Sequence, residues 1–308
     1  MKVVVTGASG FVGRYLVAHF VQLGYEVVAL VRRPQALPGV RTEQVDIENY
    51  RAVLDCMSRV RPDAVIHCAA QSSVSRSWDD PDLTYRTNIG GTANLLEALK
   101  QRSVKLLLVG SAQQYGRSPT GRPLKESDEL AARSPYAVSK LAQEHMGLAY
   151  HRRYGIQVVA TRPFNHTGPG QSPEYAVGSF CSQVAAMEKG TIRHLRVGNL
   201  DAIRDLLDVR DVVAAYGRLL ESGKAGEVYN VCCGRGVRMG DLLARLMEMA
   251  GLPPDVPVTA DGLGAPDVLV GDPSKIRSAV GWVPEVSLDR SLAESLDWYR
   301  SRMKADLA

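Results

Sequence analysis

Apolar runs alternate with amphipathic stretches along the first half of the chain. Five runs have the length and β-branched content of buried strands, and they cover Lys2–Thr6, Tyr25–Val31, a segment ending at Val45–Ile47, a segment that starts at Ala64, and Val104–Val109. Helical periodicity follows some of these runs, at Arg14–Leu23 and Thr92–Lys100. Strands and helices that alternate with short connections predict an α/β fold built on a parallel sheet.

The second half mixes shorter strands with longer helices. The predicted strands are Gln157–Arg162, Ile192–Val197 and Glu227–Cys232, and the predicted helices are Tyr175–Lys189, Val209–Glu221, Arg238–Ala250 and Leu288–Met303. Between the halves, the charged stretch from Arg117 to Arg133 contains Gly121 and Pro123. We predict a surface loop there that lies over the ligand.

A glycine turn follows the first predicted strand. Gly7, Gly10 and Gly13 have the spacing G-x-x-G-x-x-G, and the first amphipathic helix comes directly after them. Glycines let the backbone turn tightly and approach a pyrophosphate, whose charge is met by the helix N-terminus. A plain tight turn would explain the glycines alone, but strand, turn and helix together predict a dinucleotide site.

The end of the second strand indicates which dinucleotide binds. NAD sites place a carboxylate there, about 20 residues past the glycines, to hold the ribose hydroxyls. This chain has Arg32 and Arg33 instead, and guanidinium groups can bind a 2′-phosphate in a bidentate manner. We predict NADP(H), with NAD(H) as the alternative if the arginines form only a solvated basic turn.

Further candidate cofactor residues follow the next two strands. Asp46 and Ile47 could hold the edge and face of an adenine, and the small residues at 69–70 leave room for the cofactor. Ligands of parallel sheets bind beyond the carboxyl ends of the strands, where the glycine turn and Ser111 also fall. His67 lies within an apolar strand, so we interpret it as a packed core residue.

One predicted helix carries a tyrosine and a lysine a turn apart. Ser134 and Pro135 are favoured as N-cap and first helical residue, so Tyr136 and Lys140 share a face at i and i+4. An ammonium beside a phenol lowers the pKa of the phenol from about 10, which would make Tyr136 a proton donor. The spacing alone is common on helix surfaces, but beside Ser111 and the glycine turn it predicts an active site.

Composition narrows the class of protein. Of the 308 residues 45% are hydrophobic, and no run approaches the roughly 20 apolar residues of a membrane span. A net charge of +4 from scattered basic residues does not indicate nucleic-acid binding. The five cysteines form no C-x-x-C pair, and the N-terminus runs straight into a strand, so we predict a cytoplasmic protein with reduced thiols. We predict no metal site.

The motifs together resemble the extended short-chain dehydrogenase/reductase family of nucleotide-sugar enzymes, the NAD-dependent epimerase/dehydratase family. The resemblance covers essentially the whole chain and rests on the glycine turn, on Ser111 four residues before Tyr115-Gly116, and on Tyr136-x-x-x-Lys140. The segments RPFNHTGPGQ at 162–171 and VGNLDAIRD at 197–205 are similar to those of GDP-mannose 4,6-dehydratases and GDP-4-keto-6-deoxy-D-mannose reductases. The ending GPGQ is closer to the reductases.

The resemblance implies a Rossmann-like doubly wound parallel sheet with a smaller C-terminal α/β lobe. An NADP-binding domain would span 1–165 and a substrate lobe 166–308, with elements from about 205 to 233 returning to the Rossmann sheet. The expected catalytic residues are Ser111, Tyr136 and Lys140. The expected cofactor-binding residues are Gly7, Gly10, Phe11, Val12, Gly13, Arg32, Asp46, Ile47, Ala69, Ala70, Gln71, Tyr136, Lys140 and His166. The expected substrate-binding residues are Ser111, Gln113, Tyr136, Asn165 and Arg204.

Two of the expected substrate-binding residues have an alternative role. Asn165 could be a turn residue that bonds to the backbone, and Arg204 could form a salt bridge with Asp205 or Asp208.

Dehydratases of the family place a Glu two residues before the Tyr of the Tyr-Gly pair, where it acts as acid and base. This chain has Gln113 there, and an amide cannot take a proton at neutral pH, which argues against dehydration.

The resemblance therefore implies NADP(H)-dependent reduction of the C4 ketone of a nucleotide 4-keto-6-deoxyhexose. The best match is GDP-4-dehydro-6-deoxy-D-mannose, reduced to GDP-6-deoxy-D-mannose (GDP-D-rhamnose). The alternatives are a nucleotide-sugar 4-epimerase or a GDP-mannose 4,6-dehydratase. A binding protein without activity is disfavoured because Ser111, Tyr136 and Lys140 are all present.

One segment departs from the GDP-sugar relatives. They carry Arg-Pro-x-Glu shortly before a Gly-Asp-Pro turn, whereas this chain has Gly271-Asp272-Pro273 but reads GLGAP at 262–266. The departure weakens the case for GDP and leaves other nucleotides open. By analogy with the family we also expect a homodimer, paired through helices at about Gly91–Lys100 and Tyr136–Tyr150.

Overall fold

The computed structural model describes residues 1–116, 118, 121–261 and 267–305. Its strands are β1 Lys2–Thr6, β2 Glu26–Val31, β3 Arg41–Gln44, β4 Ala64–His67, β5 Lys105–Val109, β6 Gln157–Pro163, β7 Asn165–Thr167, β8 Leu195–Val197, β9 Ile203–Asp208, β10 Val228–Val231, β11 Gly236–Arg238, β12 Val258–Ala260 and β13 Val268–Leu269. Its α-helices are α1 Phe11–Gln22, α2 Tyr50–Val60, α3 Val74–Asp79, α4 Pro81–Tyr85, α5 Gly91–Leu99, α6 Pro135–Tyr154, α7 Ala176–Glu188, α8 Val209–Ser222, α9 Met239–Met249, α10 Ser274–Val280 and α11 Leu288–Ala305. A π-helical turn covers Arg86–Gly90, and a 3₁₀ turn covers Ala112–Tyr115.

Seven parallel strands form the central sheet. Their order is β10-β6-β5-β4-β1-β2-β3, and every neighbouring pair is parallel. From β1 the chain winds first towards β3 and then, from β4, in the opposite direction. The switch point therefore lies between β1 and β4, where ligands bind in folds of this class. The predicted Rossmann-like doubly wound sheet is confirmed.

Apolar residues of alternate strand positions fill the two sides of the sheet. Val3 and Val5 of β1 face one core together with Leu16 of α1, while Val4 faces the other core with Leu96 of α5. The alternation follows from the two-residue period of a strand. Both faces of β1 are covered by helices, which explains why the strand is apolar throughout.

Elements from the second half of the chain return to this sheet. Strand β10 pairs with β6, with Val228 beside Ala160, and Tyr216 of α8 lies in the same core as Leu16. A smaller lobe is built on the strands β11-β9-β13, with β7 beside β9, and on the pair β12-β8. Its own core joins α7, α9 and α11 through residues such as Phe180, Leu243 and Leu296. None of the described helices is long and apolar enough to span a membrane.

Several predicted boundaries differ from the structure. Strand β3 ends at Gln44, before the predicted Val45–Ile47, because the Asp46 carboxylate accepts the Glu48 N–H at 3.0 Å and closes a turn there. Only Leu195–Val197 of the predicted strand 192–197 is extended. The helices α3 and α4 are not predicted by the sequence pattern. They are too short to show a period, and they start at the N-caps Ser73 and Asp80.

Candidate active site

A cavity of about 790 Å³ opens at the carboxyl ends of the central strands and extends to the smaller lobe. Cavities of this size are typical of small-molecule sites. With the exception of Arg33, the residues that the sequence predicts for the site contribute to its wall: Gly7, Gly10, Phe11, Val12, Gly13, Arg32, Asp46, Ile47, Ala69, Ala70, Gln71, Ser111, Gln113, Tyr136, Lys140, Asn165, His166 and Arg204. The fold thus brings together residues that are up to 197 positions apart in the chain (204 − 7).

The glycine turn fits a dinucleotide because side chains are excluded there. Gly7 has φ +67°, and a Cβ on it would lie 2.8 Å from the Ala69 nitrogen. A Cβ on Gly13 would collide with the Gly7 carbonyl. Helix α1 begins at Phe11 without a side-chain cap and without an acid in its first turn. Backbone N–H groups at such a helix start suit a pyrophosphate.

The two predicted arginines differ in whether they line the cavity beyond the glycine turn. Arg32 lines the cavity beside Asp46 and Ile47, whereas Arg33 lies off its wall. Ile47 is buried against Gly91, where any Cβ would come within 2.6 Å of its side chain. The exposed guanidinium of Arg32 is therefore the one that can reach a phosphate inside the cavity.

Tyr136 and Lys140, two of the expected catalytic residues, lie near the start of helix α6. Ser134 caps the helix by accepting the Ala137 N–H at 3.1 Å, which places Tyr136 in the first turn. Tyr136 is 9% exposed and lines the cavity together with Ser111. Lys140 lies one turn on, donates to the Val109 carbonyl at 2.8 Å, and has its Nζ 6.0 Å from the centre of the Tyr136 ring.

The predicted lowering of the Tyr136 pKa is wrong for this structure. Burial raises the pKa of Tyr136 to about 12, against the opposing effect of the Ser111 hydroxyl. Burial also lowers the pKa of Lys140 to about 8. Spacing along a helix does not reveal burial, which is the largest cause of the pKa shift of Tyr136. Tyr136 is therefore protonated near neutral pH, and Lys140 is mainly cationic.

Ser111 is the N-cap of the 3₁₀ turn that follows β5, and Gln113 lies within that turn. The Ser111 hydroxyl oxygen accepts the Gln113 N–H at 3.2 Å, and both residues lie on the cavity wall. Gln113 is the residue that replaces the expected dehydratase carboxylate. Its neighbour Gln114 is absent from the wall and fully buried, and the sequence pattern assigns it no role.

The alternative for Asn165 is wrong, and the alternative for Arg204, a salt bridge, holds with a different partner. Asn165 lies in strand β7, beside Leu206, rather than in a turn. Arg204 pairs with Asp267, with the Arg204 Nη2 2.5 Å from Asp267 Oδ2. The two candidate partners are engaged elsewhere, since Asp205 accepts backbone N–H groups of Cys233 and Gly234 and Asp208 pairs with Arg210.

The two histidines near the site are both held in place. His166 donates from Nδ1 to the Phe164 carbonyl at 3.1 Å, and its ring stacks on Phe11 at the start of α1, with centroids 6.3 Å apart. Burial lowers the pKa of His166, so the ring is neutral. His67 lies between the hydroxyls of Thr6 and Thr92 at 2.8 and 3.0 Å and is a packed core residue, as interpreted.

Asn88 supports the part of the cavity wall that contains Gln71, and no sequence motif predicts this role. Asn88 lies in the π-helical turn, and its amide accepts the Gln71 N–H at 2.7 Å and donates to the Gln71 carbonyl at 3.0 Å. The same side chain donates to Ser139 of α6 at 2.8 Å. Asn88 thereby holds the segment that begins at Gln71. Ser72, the next residue of this segment, forms a hydrogen bond with Tyr175 of the smaller lobe at 2.7 Å.

The predicted loop over the ligand lies elsewhere. Leu124 is buried and pairs with Gly271, and the Glu126 carboxylate accepts the Asn230 N–H at 2.7 Å. None of the described residues 118 and 121–133 lines the cavity. The segment 262–266, which lacks the expected Arg and Glu, lies outside the described residues.

The chain is similar to known proteins along nearly its whole length. The chain matches the family described as "GDP-mannose 4,6 dehydratase" over residues 4–295. It is 36% identical over 311 aligned residues to the GDP-6-deoxy-D-mannose reductase of Pseudomonas aeruginosa, and the alignment covers 99% of both chains.

Two solved structures have the same fold along nearly the whole chain. The structure of RMD from Pseudomonas aeruginosa complexed with NADPH has a TM-score of 0.88 at 36% identity, over 98% of this chain and 99% of that one. The UDP-glucose 4-epimerase of Thermus thermophilus, complexed with NAD, has a TM-score of 0.87 at 32% identity, over 97% and 99%. The chain therefore belongs to the GDP-mannose 4,6-dehydratase family of short-chain dehydrogenases/reductases.

Proposed function

We propose that the protein is an NADP(H)-dependent 4-ketoreductase of nucleotide 4-keto-6-deoxyhexoses. One observation carries the proposal: Ser111 and Tyr136 line the cavity together with an amide, Gln113, at the position where dehydratases of the family have a glutamate. The similarity to a protein named GDP-6-deoxy-D-mannose reductase supports the same reaction. GDP-4-dehydro-6-deoxy-D-mannose, reduced to GDP-6-deoxy-D-mannose, is the first substrate to test.

The residues of the site can perform the proton part of a ketone reduction. A bound NADPH would supply the hydride for C4. Tyr136 holds its proton at neutral pH because burial raises its pKa to about 12, so it can donate that proton to the C4 oxygen. The Ser111 hydroxyl would bind the same oxygen. The Lys140 ammonium would then stabilise the tyrosinate electrostatically in a site from which water is largely excluded.

We assign the rest of the cavity to the two ligands. The cofactor would lie between the glycine turn, Arg32 and the segment at 69–71, with His166 on the nicotinamide side. The nucleotide sugar would lie towards Asn165 and Arg204, and the Asp267 carboxylate would hold the Arg204 guanidinium in place for the diphosphate. NADPH is proposed over NADH because Arg32 stands where NAD enzymes need a carboxylate.

A 4-epimerase is the second candidate, because the structure of a UDP-glucose 4-epimerase superposes on this chain so closely. Epimerases and dehydratases regenerate their dinucleotide within each cycle, so the purified protein would carry it and would consume none. A reductase consumes one NADPH for each ketone reduced. Gln113 argues against the dehydratase in particular, because that reaction requires an acid and a base at C5 and C6.

The test is a substrate panel with matched variants. We expect the protein to oxidise NADPH with GDP-linked, dTDP-linked or UDP-linked 4-keto-6-deoxysugars, with NMR of the product giving its C4 configuration. Tyr136→Phe should lower kcat by on the order of a hundredfold or more, as loss of a general acid does. Tyr150→Phe is the control, because Tyr150 is on the same helix but bonds to Glu97.

Other results of the panel would reject the proposal. A Tyr136→Phe variant as fast as the parent protein would refute the assigned proton donor. Bound dinucleotide in the purified protein, with no net NADPH oxidation, would favour the epimerase. The panel also decides the nucleotide base, because the segment 262–266 lacks the Arg-Pro-x-Glu sequence of GDP-sugar relatives.

We further propose a cytoplasmic homodimer. The helices expected to pair are α5 and α6, and Val138 and Tyr154 are exposed on the surface of α6. Sedimentation velocity would give the oligomeric state, and a monomer at micromolar concentration would refute the dimer.

A further inference from the structure

A chain of buried polar side chains lies beneath Ser111. Gln114 is fully buried, and its Oε1 accepts the Ser111 backbone N–H at 2.8 Å. Its Nε2 donates to Glu144 Oε2 at 2.9 Å. Because an ionised carboxylate only accepts hydrogen bonds, Glu144 fixes which end of the Gln114 amide faces Ser111.

Glu144 is itself immobilised by a buried ion pair. The Arg162 Nη2 lies 2.6 Å from Glu144 Oε1, and the Arg162 Nε donates to Glu144 Oε2 at 2.9 Å. Arg162 Nη1 donates to the Tyr115 hydroxyl at 2.8 Å and to the Glu126 carbonyl at 3.1 Å. A bidentate arginine–carboxylate pair has a defined geometry, so the Glu144 carboxylate is held to one position and orientation.

Helix α6 therefore carries both Tyr136 of the proposed active site and Glu144 of the buried ion pair. Tyr136, Lys140 and Glu144 follow each other at four-residue intervals along a single face of α6. Through Gln114, Glu144 reaches the backbone of Ser111. Gly110 makes the approach possible, because a Cβ there would lie 2.7 Å from Gln114 Oε1 and 2.5 Å from the Thr161 carbonyl oxygen.

We propose that Gln114 is a positioning residue, which together with Glu144 sets the separation of the Ser111 and Tyr136 hydroxyls. The inference rests on the proposed function, because it gives Ser111 a part in the reaction. Both hydroxyls must meet the same substrate oxygen, so a small error in their separation lowers the rate of the chemical step. Binding of the nucleotide and of the cofactor is made by other residues and is not affected.

The first experiment compares two buried glutamines. Gln114→Leu keeps the side-chain volume but removes both hydrogen bonds. We expect kcat to fall by about tenfold to a hundredfold, as with other misplaced groups, with KM for the nucleotide sugar unchanged. Gln143→Leu is the matched control, because Gln143 is buried on the same helix but donates to Thr92. Its kcat should stay at the parent value.

A double-mutant cycle tests whether Gln114 acts through Ser111. If it does, Gln114→Leu adds no further loss in a Ser111→Ala background, so the two single effects are not additive. A purely structural role predicts that the two losses multiply, and that result would overturn the proposal. Gln114→Glu gives a second readout if Gln114→Leu fails to fold. Its added carboxyl can donate to Glu144 only when protonated, so kcat should fall as that carboxyl ionises beside Glu144.

Amide-hydrogen exchange at Ser111 separates this proposal from the proposed function. Exchange resolved to Ser111 should be faster in Gln114→Leu than in the parent protein and unchanged in Gln143→Leu. Unchanged exchange in Gln114→Leu would overturn the positioning role. Faster exchange in a protein that reduces none of the keto-sugars would support the positioning link while refuting the reductase.

Discussion

At the scale of single residues, Lys140 sets the pH range in which the site can work. Burial lowers its pKa to about 8, so the ammonium that stabilises a tyrosinate is present below that pH and is lost as the pH rises through it. Tyr136, with a pKa of about 12, stays protonated over the same range. We therefore expect kcat to fall above about pH 8 with the slope of one proton, measured at saturating substrate. A profile that stays flat well above that pH would contradict this assignment of charge.

Cofactor preference also belongs to a single residue. Arg32 lines the cavity and Arg33 does not, although the two are equivalent in the sequence. Arg32→Ala should raise KM for NADPH about tenfold, the value of one charge-assisted hydrogen bond, and leave KM for NADH unchanged. Arg33→Ala is the control and should change neither. Equal effects of both variants on NADPH would show that the phosphate lies outside the cavity.

The sequence predicted part of the cavity lining but missed other lining residues such as Glu174 and Tyr175, and it did not predict the partners that orient the lining residues. Ser111, Tyr136 and Lys140 are identifiable because their spacing relative to strand ends is local. The pair of Glu144 with Arg162 joins residues 18 positions apart on different elements, and the pair of Arg204 with Asp267 joins residues 63 apart. No local pattern encodes such pairs. The direction of the Tyr136 pKa failed for a related reason, since burial is a property of the folded chain.

At the scale of elements, the start of helix α6 determines where Tyr136 lies. Ser134→Ala removes the cap and should lower the free energy of unfolding by about 1 kcal/mol. It should also lower kcat several-fold, because Tyr136 lies in the turn that frays. Ser287→Ala removes a similar contact to the Arg290 N–H at the start of α11, far from the site. Thermal unfolding and kcat measured on both variants test this: comparable loss of kcat in Ser287→Ala would mean that global destabilisation, not the position of Tyr136, is responsible.

Several long elements were predicted closely, whereas the short elements between Val74 and Gly90 and helix α2 were not predicted. Strand β1 has the predicted bounds Lys2–Thr6, and α6 starts at the predicted Pro135. The run from Val74 to Gly90 is instead divided into two short helices and a π-helical turn. Its course is set by tertiary bonds such as those from Asn88 to Gln71 and Ser139. π-helical turns are frequently found at functional sites, and this one supports the cavity wall.

At the scale of the whole molecule, the parallel sheet could be predicted from the alternation of strands and helices, but its last strand could not be placed by that rule. Residues 164–227, which include the intervening lobe, separate β6 from β10, and the two strands still pair. Family resemblance implied that return, while the apolar pattern of 228–231 showed only a buried strand. The folding unit built on the central sheet therefore extends beyond the proposed NADP-binding domain, which ends at residue 165.

This difference between binding domain and folding unit can be tested on a fragment. Residues 1–165 alone would leave β6 as an unpaired edge, which favours aggregation. They would also expose the α1 residues Leu16 and Phe20 that pack with Tyr216 and Tyr229 in the intact chain. We expect the fragment to lack a cooperative thermal transition by circular dichroism and to give a poorly dispersed NMR spectrum. Co-expression with residues 166–308 should restore both, and a well-dispersed spectrum from 1–165 alone would show that the returning strand and helix are dispensable for folding.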